Sequence, residues 1–152
     1  MVELTVVISI FLIVLGGASL TFSSFLTRNQ LDSYTHQLIQ TLRRAQSNAL
    51  ARYKDSDWGV HLDTVDSSYV FFKGASFDSR ETAFDETTLL PGSLAFAAIA
   101  LRGGGTDFVF HKGDGTVAQD GSFQLQEGPS HLFTLTVNAY GRVDVDPLLL
   151  SP

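Results

Sequence analysis

Glu3 is the one ionisable side chain at the head of a long apolar run. Leu4 to Thr27 follows it as 24 consecutive positions without a charge. A carboxylate buried against such a run costs several kcal/mol unless a counter-ion meets it. An acid at the edge of a membrane-length segment therefore marks a function by default, and the chemistry open to it is charge pairing. The other candidates for chemistry are thinner. His36, His61, His111 and His131 show neither a His-Glu-x-x-His pattern nor a close metal-ligand spacing. Asp55 and Asp57, with Asp63 and Asp66 beyond them, are candidates for calcium, as are Asp114 and Asp120, but none follows the spacing of an EF-hand loop. Gly103-Gly104-Gly105 lacks the lysine and serine of a phosphate loop and reads as a turn. There is no Gly-x-Ser-x-Gly elbow, and with no cysteine there is neither a thiol nucleophile nor a disulfide. The pattern predicts no catalysis and no cofactor.

Charge is segregated along the 152 residues. Arg28, Arg43, Arg44, Arg52 and Lys54 place five of the ten basic residues in one 27-residue stretch. From Asp55 onward five basic residues face 14 acidic ones, a net of −9. So acidic a region repels phosphate backbones, which disfavours general nucleic-acid binding. The cluster Arg43, Arg44, Arg52 and Lys54 is expected to meet acidic surfaces of neighbouring copies, giving charge complementarity between subunits. DNA binding through the same four residues is the competing use.

These residues need elements to position them. At about 1.5 Å per residue the uncharged run makes a helix of about 36 Å, enough to cross a bilayer core of about 30 Å. The apolar stripe then continues through Leu31, Tyr34, Leu38, Leu42, Ala45, Ala49 and Tyr53 at spacings of three and four. No proline interrupts residues 1–90, so one helix of about 50 residues is expected, ending near Lys54 where Asp55-Ser56-Asp57 supplies turn residues. Gly16-Gly17 is its weak point, each glycine costing about 1 kcal/mol relative to alanine. In lipid such small residues also permit close helix packing. Beyond the helix, strand signals recur at Trp58–Leu62, Ser68–Phe72, Thr87–Leu90, Leu94–Leu101, Asp107–Phe110, Ser122–Gln126, His131–Val137 and Val143–Val145. The expected class is α+β: a long N-terminal helix, apolar then amphipathic, with an antiparallel sheet laid on its stripe. The divisions are 1–27 for the apolar helix, 28–54 for the amphipathic helix and 55–152 for the β-rich head.

Val2-Glu3-Leu4-Thr5-Val6-Val7-Ile8-Ser9-Ile10 resembles the start of type IV pilins and type II secretion pseudopilins. Softer matches are Leu42 to Ala49, Trp58-Gly59-Val60, Tyr69 to Gly74, and Asn138-Ala139-Tyr140-Gly141-Arg142-Val143, which is similar to the closing hairpin of minor pseudopilin heads. In that family a leader peptidase cuts after a glycine, the new N-terminus is methylated, and glutamate stands fifth. Here it stands third, so the resemblance implies either that a basic leader and two residues, Phe-Thr, precede Met1, or that the start is genuinely shifted and the processing site differs from the family's. Without such a leader, Arg28 and the basic residues after it would orient the head toward the cytoplasm.

The resemblance implies a filament subunit that is not an enzyme and that forms a helical homo-oligomer. Glu3 would pair with the neighbouring copy's amino terminus, and the helix would loosen between Leu15 and Phe22 on assembly. A prepilin peptidase, an inner-membrane platform and a motor ATPase would be partners. The chain would span the cytoplasmic membrane once before assembly and belong to a surface or periplasm-spanning filament afterwards. The role expected first is a type IV pilus subunit, with a minor pseudopilin of a type II secretion system as the alternative. A DNA-binding minor pilin and a monomeric membrane-anchored binding module are the readings from other classes. Some pseudopilin heads hold calcium, which keeps Asp55 and Asp57 in view. Leu148-Leu149-Leu150 is expected to pack on the head or a neighbour, since exposed it would be an association patch.

Overall fold

The computed structural model describes residues 2–128 and 131–149, with the side chains of 12–29 and 147–149 excepted. Helix α1 runs unbroken from Val2 to Leu50. Its second half buries Leu31, Thr35, Leu38, Ile39, Leu42, Ala45 and Ala49. Thr35 is a polar member the apolar stripe did not include. Its hydroxyl is satisfied within the helix by donating to the Leu31 carbonyl at 2.7 Å.

The helix ends four residues before Lys54, because the chain turns left-handed at Arg52 (φ 51°). The Gly113 amide, arriving from a distant loop, donates to the Ala49 carbonyl at 2.9 Å and so satisfies one orphan acceptor of the last turn. Tyr53, expected as the last rung of the buried stripe, therefore lies off the helix and is half-exposed. It stacks on Trp58 with ring centroids 5.6 Å apart.

Among the described residues eight strands follow: β1 Trp58–Asp63, β2 Ser68–Lys73, β3 Glu86–Leu89, β4 Leu94–Leu101, β5 Asp107–Phe110, β6 Gly121–Glu127, β7 His131–Val137 and β8 Val143–Leu149. All their pairings are antiparallel. They form two sheets, in the orders β3-β2-β1-β5 and β4-β6-β7-β8, where a single sheet was expected. Eight strands at about 4.8 Å spacing would span about 38 Å, far wider than one helix of about 10 Å can cover. Two narrower sheets share α1 instead, and they also pack on each other where Phe108 of β5 meets Phe123 of β6 at 5.5 Å.

One core joins the three layers. Leu38, Leu42 and Ala45 of α1 share it with Val60, Leu62, Phe71, Phe108, Phe123, Leu125 and Leu135, all fully buried or nearly so. The outer face of the first sheet is also covered, because the loop after β2 brings Phe77 onto the His61 ring at 3.7 Å and against Phe72. Gly59 makes this layering possible: a Cβ there would come 2.5 Å from the Phe72 ring and 2.8 Å from the Phe108 carbonyl oxygen.

Candidate functional site

The N-terminal turns of α1 carry the candidate site. Every residue from Val2 to Phe11 is exposed, including Val2, Leu4, Val6, Val7, Ile8, Ile10 and Phe11 on all sides of the helix. The two hydroxyls in this stretch fold back on the backbone. Thr5 donates to the Val2 carbonyl at 2.8 Å and Ser9 to the Thr5 carbonyl at 2.7 Å, leaving methyl and methylene surface outward. Glu3 lies in the first turn, where the positive end of the helix dipole favours a carboxylate. Its helical neighbours at three and four residues are Val6 and Val7, and no described cation lies within ion-pair distance. The site is thus a single acid on a greasy sleeve.

Among the described residues no helix is long and apolar enough to cross a membrane. Most of the expected span, residues 12–27, lies outside the residues whose side chains are described. The backbone is helical through Gly16 and Gly17 in this single chain, and the packing expected around them falls outside the described side chains. The same holds for Leu148 and Leu149, while Leu150 is outside the described residues altogether.

The four basic residues expected to act together are divided. Arg44 is engaged within the chain, its two terminal nitrogens donating to Glu86 at 2.7 and 2.6 Å while its guanidinium lies 4.5 Å from the Phe71 ring centroid. These hydrogen bonds hold the Glu86 carboxyl below the ordinary carboxylate range and push Arg44 further up. Arg43, Arg52 and Lys54 have no carboxylate partner among the described residues. Arg52 lies against Gly113, and the Lys54 ammonium lies 5.7 Å from the Tyr53 ring centroid.

Asp55 and Asp57 converge on one lysine. Asp55 accepts from the Lys112 ammonium at 2.9 Å, and Asp57 accepts from the Lys112 amide at 2.7 Å. No group of three histidine or acidic side chains able to hold a metal ion occurs among the described residues. His36, His61 and His111 lie apart, against Asp32, Asp107 and Asp57 respectively.

One feature carried no spacing signal in the sequence. The rings of Tyr53, Trp58 and Phe71 form a continuous stack, with Phe84 edge-on to Trp58. Beside it is an open cleft of about 260 Å³ bounded by Arg44, Asn48, Phe84 and Glu86. Its ring faces are already in use, Phe71 by Arg44 and Phe84 by the Lys73 ammonium at 5.0 Å. The stack fastens the helix end to the first sheet.

No protein-family model matches the chain, and no curated protein matches it. Two solved structures are similar to it, both of the minor pseudopilin EpsH from the type 2 secretion system of Vibrio cholerae. The first has a TM-score of 0.59 at 13% identity, covering 78% of this chain and 97% of that one. The second has a TM-score of 0.53 at 15% identity, covering 82% and 98%. At these identities the likeness is one of fold, and the fold is that of a pseudopilin: a long helix carrying an antiparallel β head.

Proposed function

We propose that this chain is a structural subunit of a type IV pilin-like filament, its helices bundled in the core and its heads outside. The observation that carries the reading is the exposed apolar sleeve at residues 2–11 with Glu3 as its one charge. A helix that is apolar all round needs lipid or other helices around it. Before assembly the run through Thr27 lies in the cytoplasmic membrane as a single span. On leaving the bilayer it exchanges lipid for the helices of neighbouring subunits, with little gain in hydrophobic energy. Association then draws on close packing and on Glu3 meeting a neighbour's amino terminus. Extraction from the membrane needs a motor, supplied with the platform and the prepilin peptidase by other proteins.

Between a secretion pseudopilus and a surface pilus we favour the former, with this chain as a minor subunit, because both similar structures are described as a minor pseudopilin. DNA binding is disfavoured, since Arg44 is taken up by Glu86 and the head is acidic.

The test is to shear filaments from the host envelope and measure this chain in polymer and membrane by quantitative mass spectrometry, with immunogold microscopy of the polymer. Traces within a polymer of another subunit support the minor role, and abundance supports a major pilin. A chain found only as membrane monomer would overturn the proposal.

A further inference from the structure

The joint between α1 and β1 is strained. Arg52, Lys54 and Asp55 all hold positive φ, at 51°, 57° and 53°. None is a glycine, and left-handed backbone at such residues persists only where the surroundings over-determine it. Here the surroundings come from the loop after β5. The Gly113 amide donates to the Ala49 carbonyl at 2.9 Å, and the Arg52 guanidinium lies against Gly113. Lys112, one residue earlier, grips the turn itself. Its ammonium donates to the Asp55 carboxylate at 2.9 Å and to the Asp55 carbonyl at 3.3 Å. Its amide donates to the Asp57 carboxylate at 2.7 Å. The Asp57 carbonyl in turn accepts from the Gly74 amide at 3.0 Å, which ties the turn to the end of β2.

Carboxylate and carbonyl oxygens gathered on one turn are the hard ligands that calcium takes. In this chain a lysine takes them instead. Segments 52–57 and 111–116 together carry three cations, Arg52, Lys54 and Lys112, against three acids, Asp55, Asp57 and Asp114. With His111 neutral the joint balances as it stands, and a divalent cation added to it would be uncompensated. The other acids grouped as calcium candidates beyond β5 are also engaged. Asp114 accepts from the Thr116 amide and hydroxyl at 3.0 and 2.9 Å, and Asp120 pairs with Arg102 at 2.9 Å.

We infer that Lys112 is a tethered counter-ion. It supplies from within the chain the cation that the Asp55–Asp57 turn needs, and so holds a strained backbone without a metal. The joint that sets how α1 enters the first sheet is therefore indifferent to divalent cations and dependent on one side chain. This concerns the single head, whatever filament the chain enters.

Thermal unfolding of the full chain in neutral detergent tests it, run in EDTA, in about 10 mM calcium chloride and in sodium chloride of matched ionic strength. The unsubstituted chain should melt within about 1 °C of one temperature in all three. Lys112→Glu sets a third carboxylate beside Asp55 and Asp57. Its melting temperature should fall in EDTA and recover by about 5 °C in calcium, since loop sites of millimolar affinity are then largely filled. Lys112→Asn is neutral and still offers an oxygen, so it should shift the same way by less, and it answers the question if Lys112→Glu does not fold. Asp55→Lys combined with Lys112→Asp exchanges the two charges and should restore indifference to calcium. An unsubstituted chain that melts lower in EDTA than in matched sodium chloride would overturn the inference. So would Lys112→Glu and Lys112→Asn chains that melt like the parent in EDTA or ignore calcium.

Discussion

Arg44 on the helix and Glu86 on edge strand β3 form a two-point ion pair across 42 residues of sequence, with N···O distances of 2.7 and 2.6 Å. Both side chains are about half exposed, 51% and 56%. Solvent therefore screens the charges, and the pair stabilises by well under 1 kcal/mol through Coulomb attraction. The guanidinium also covers the Phe71 ring, so its alkyl and planar parts pack where the carboxylate's do not.

The two partners should accordingly be unequal. Glu86→Gln is expected to cost less than about 1 kcal/mol, and Arg44→Ala about 1–2 kcal/mol because it also uncovers an aromatic face. A double-mutant cycle by urea unfolding of the detergent-solubilised chain measures the difference. Equal losses would place all of Arg44's contribution in the ion pair.

Acid should loosen the head in a defined window. Glu86, Asp55, Asp63 and Asp114 all have carboxyls held below their ordinary values. The first causes are the Arg44 hydrogen bond for Glu86, the Lys112 hydrogen bond for Asp55, and turn amides for Asp63 and Asp114. A lowered folded value means the unfolded chain binds protons first as pH falls. The contribution is complete above the unfolded carboxylate range, about pH 4–4.5, and is lost as pH drops through the folded values. Melting temperature should be flat above pH 5 in this respect and fall below about pH 4. The fall should be shallower in Glu86→Gln. An identical acid limb in that variant would remove Glu86 from the account.

Alkali acts through Tyr69, whose hydroxyl is buried without a well-formed hydrogen bond beside Thr41 and Thr88. Burial raises its ionisation above the ordinary tyrosine value. Its stabilising contribution is therefore complete below about pH 10 and is lost as pH rises through the folded value. Tyr69→Phe should flatten the alkaline limb. At neutral pH it should change stability by no more than about 1 kcal/mol, in either direction, because no good hydrogen bond is broken. A loss of 2 kcal/mol or more would mean the hydroxyl is satisfied after all.

The strands were legible because alternation and turn residues coincide. Trp58–Leu62, Asp107–Phe110 and His131–Val137 are bounded by Asp, Gly and Asn turns, and the structure keeps them within a residue or two. The end of α1 was not. Tyr53 continues the three-and-four spacing, and only the left-handed turn at Arg52 and the Gly113 amide on Ala49 stop the helix. Arg44 reads as one of four like charges until β3 brings Glu86 beside it. Pairings between residues so far apart leave no periodic trace. Glu3 stood out in the sequence because a lone acid against 24 uncharged positions needs no partner to be noticed.

Glu3 is where the assembly reading meets its decisive measurement. Glu3→Gln keeps the size and hydrogen-bonding reach of the side chain and removes only its charge, while Glu3→Ala removes both. If the acid is needed to pair with an ammonium in the bundle, both variants should reduce polymer yield at least about tenfold, since leaving a buried amine unpaired costs several kcal/mol. Membrane levels of the subunit should stay unchanged, because an isolated helix in lipid loses nothing by shedding a carboxylate. If the acid serves only to sit at the headgroup level, Glu3→Gln should assemble normally. The readout is the polymer-to-membrane ratio of the full chain in its own envelope, with subunit spacing taken from the filaments that remain. A charge needed for pairing makes Gln as damaging as Ala, and a Gln variant with parental yield and spacing would rule the pairing out.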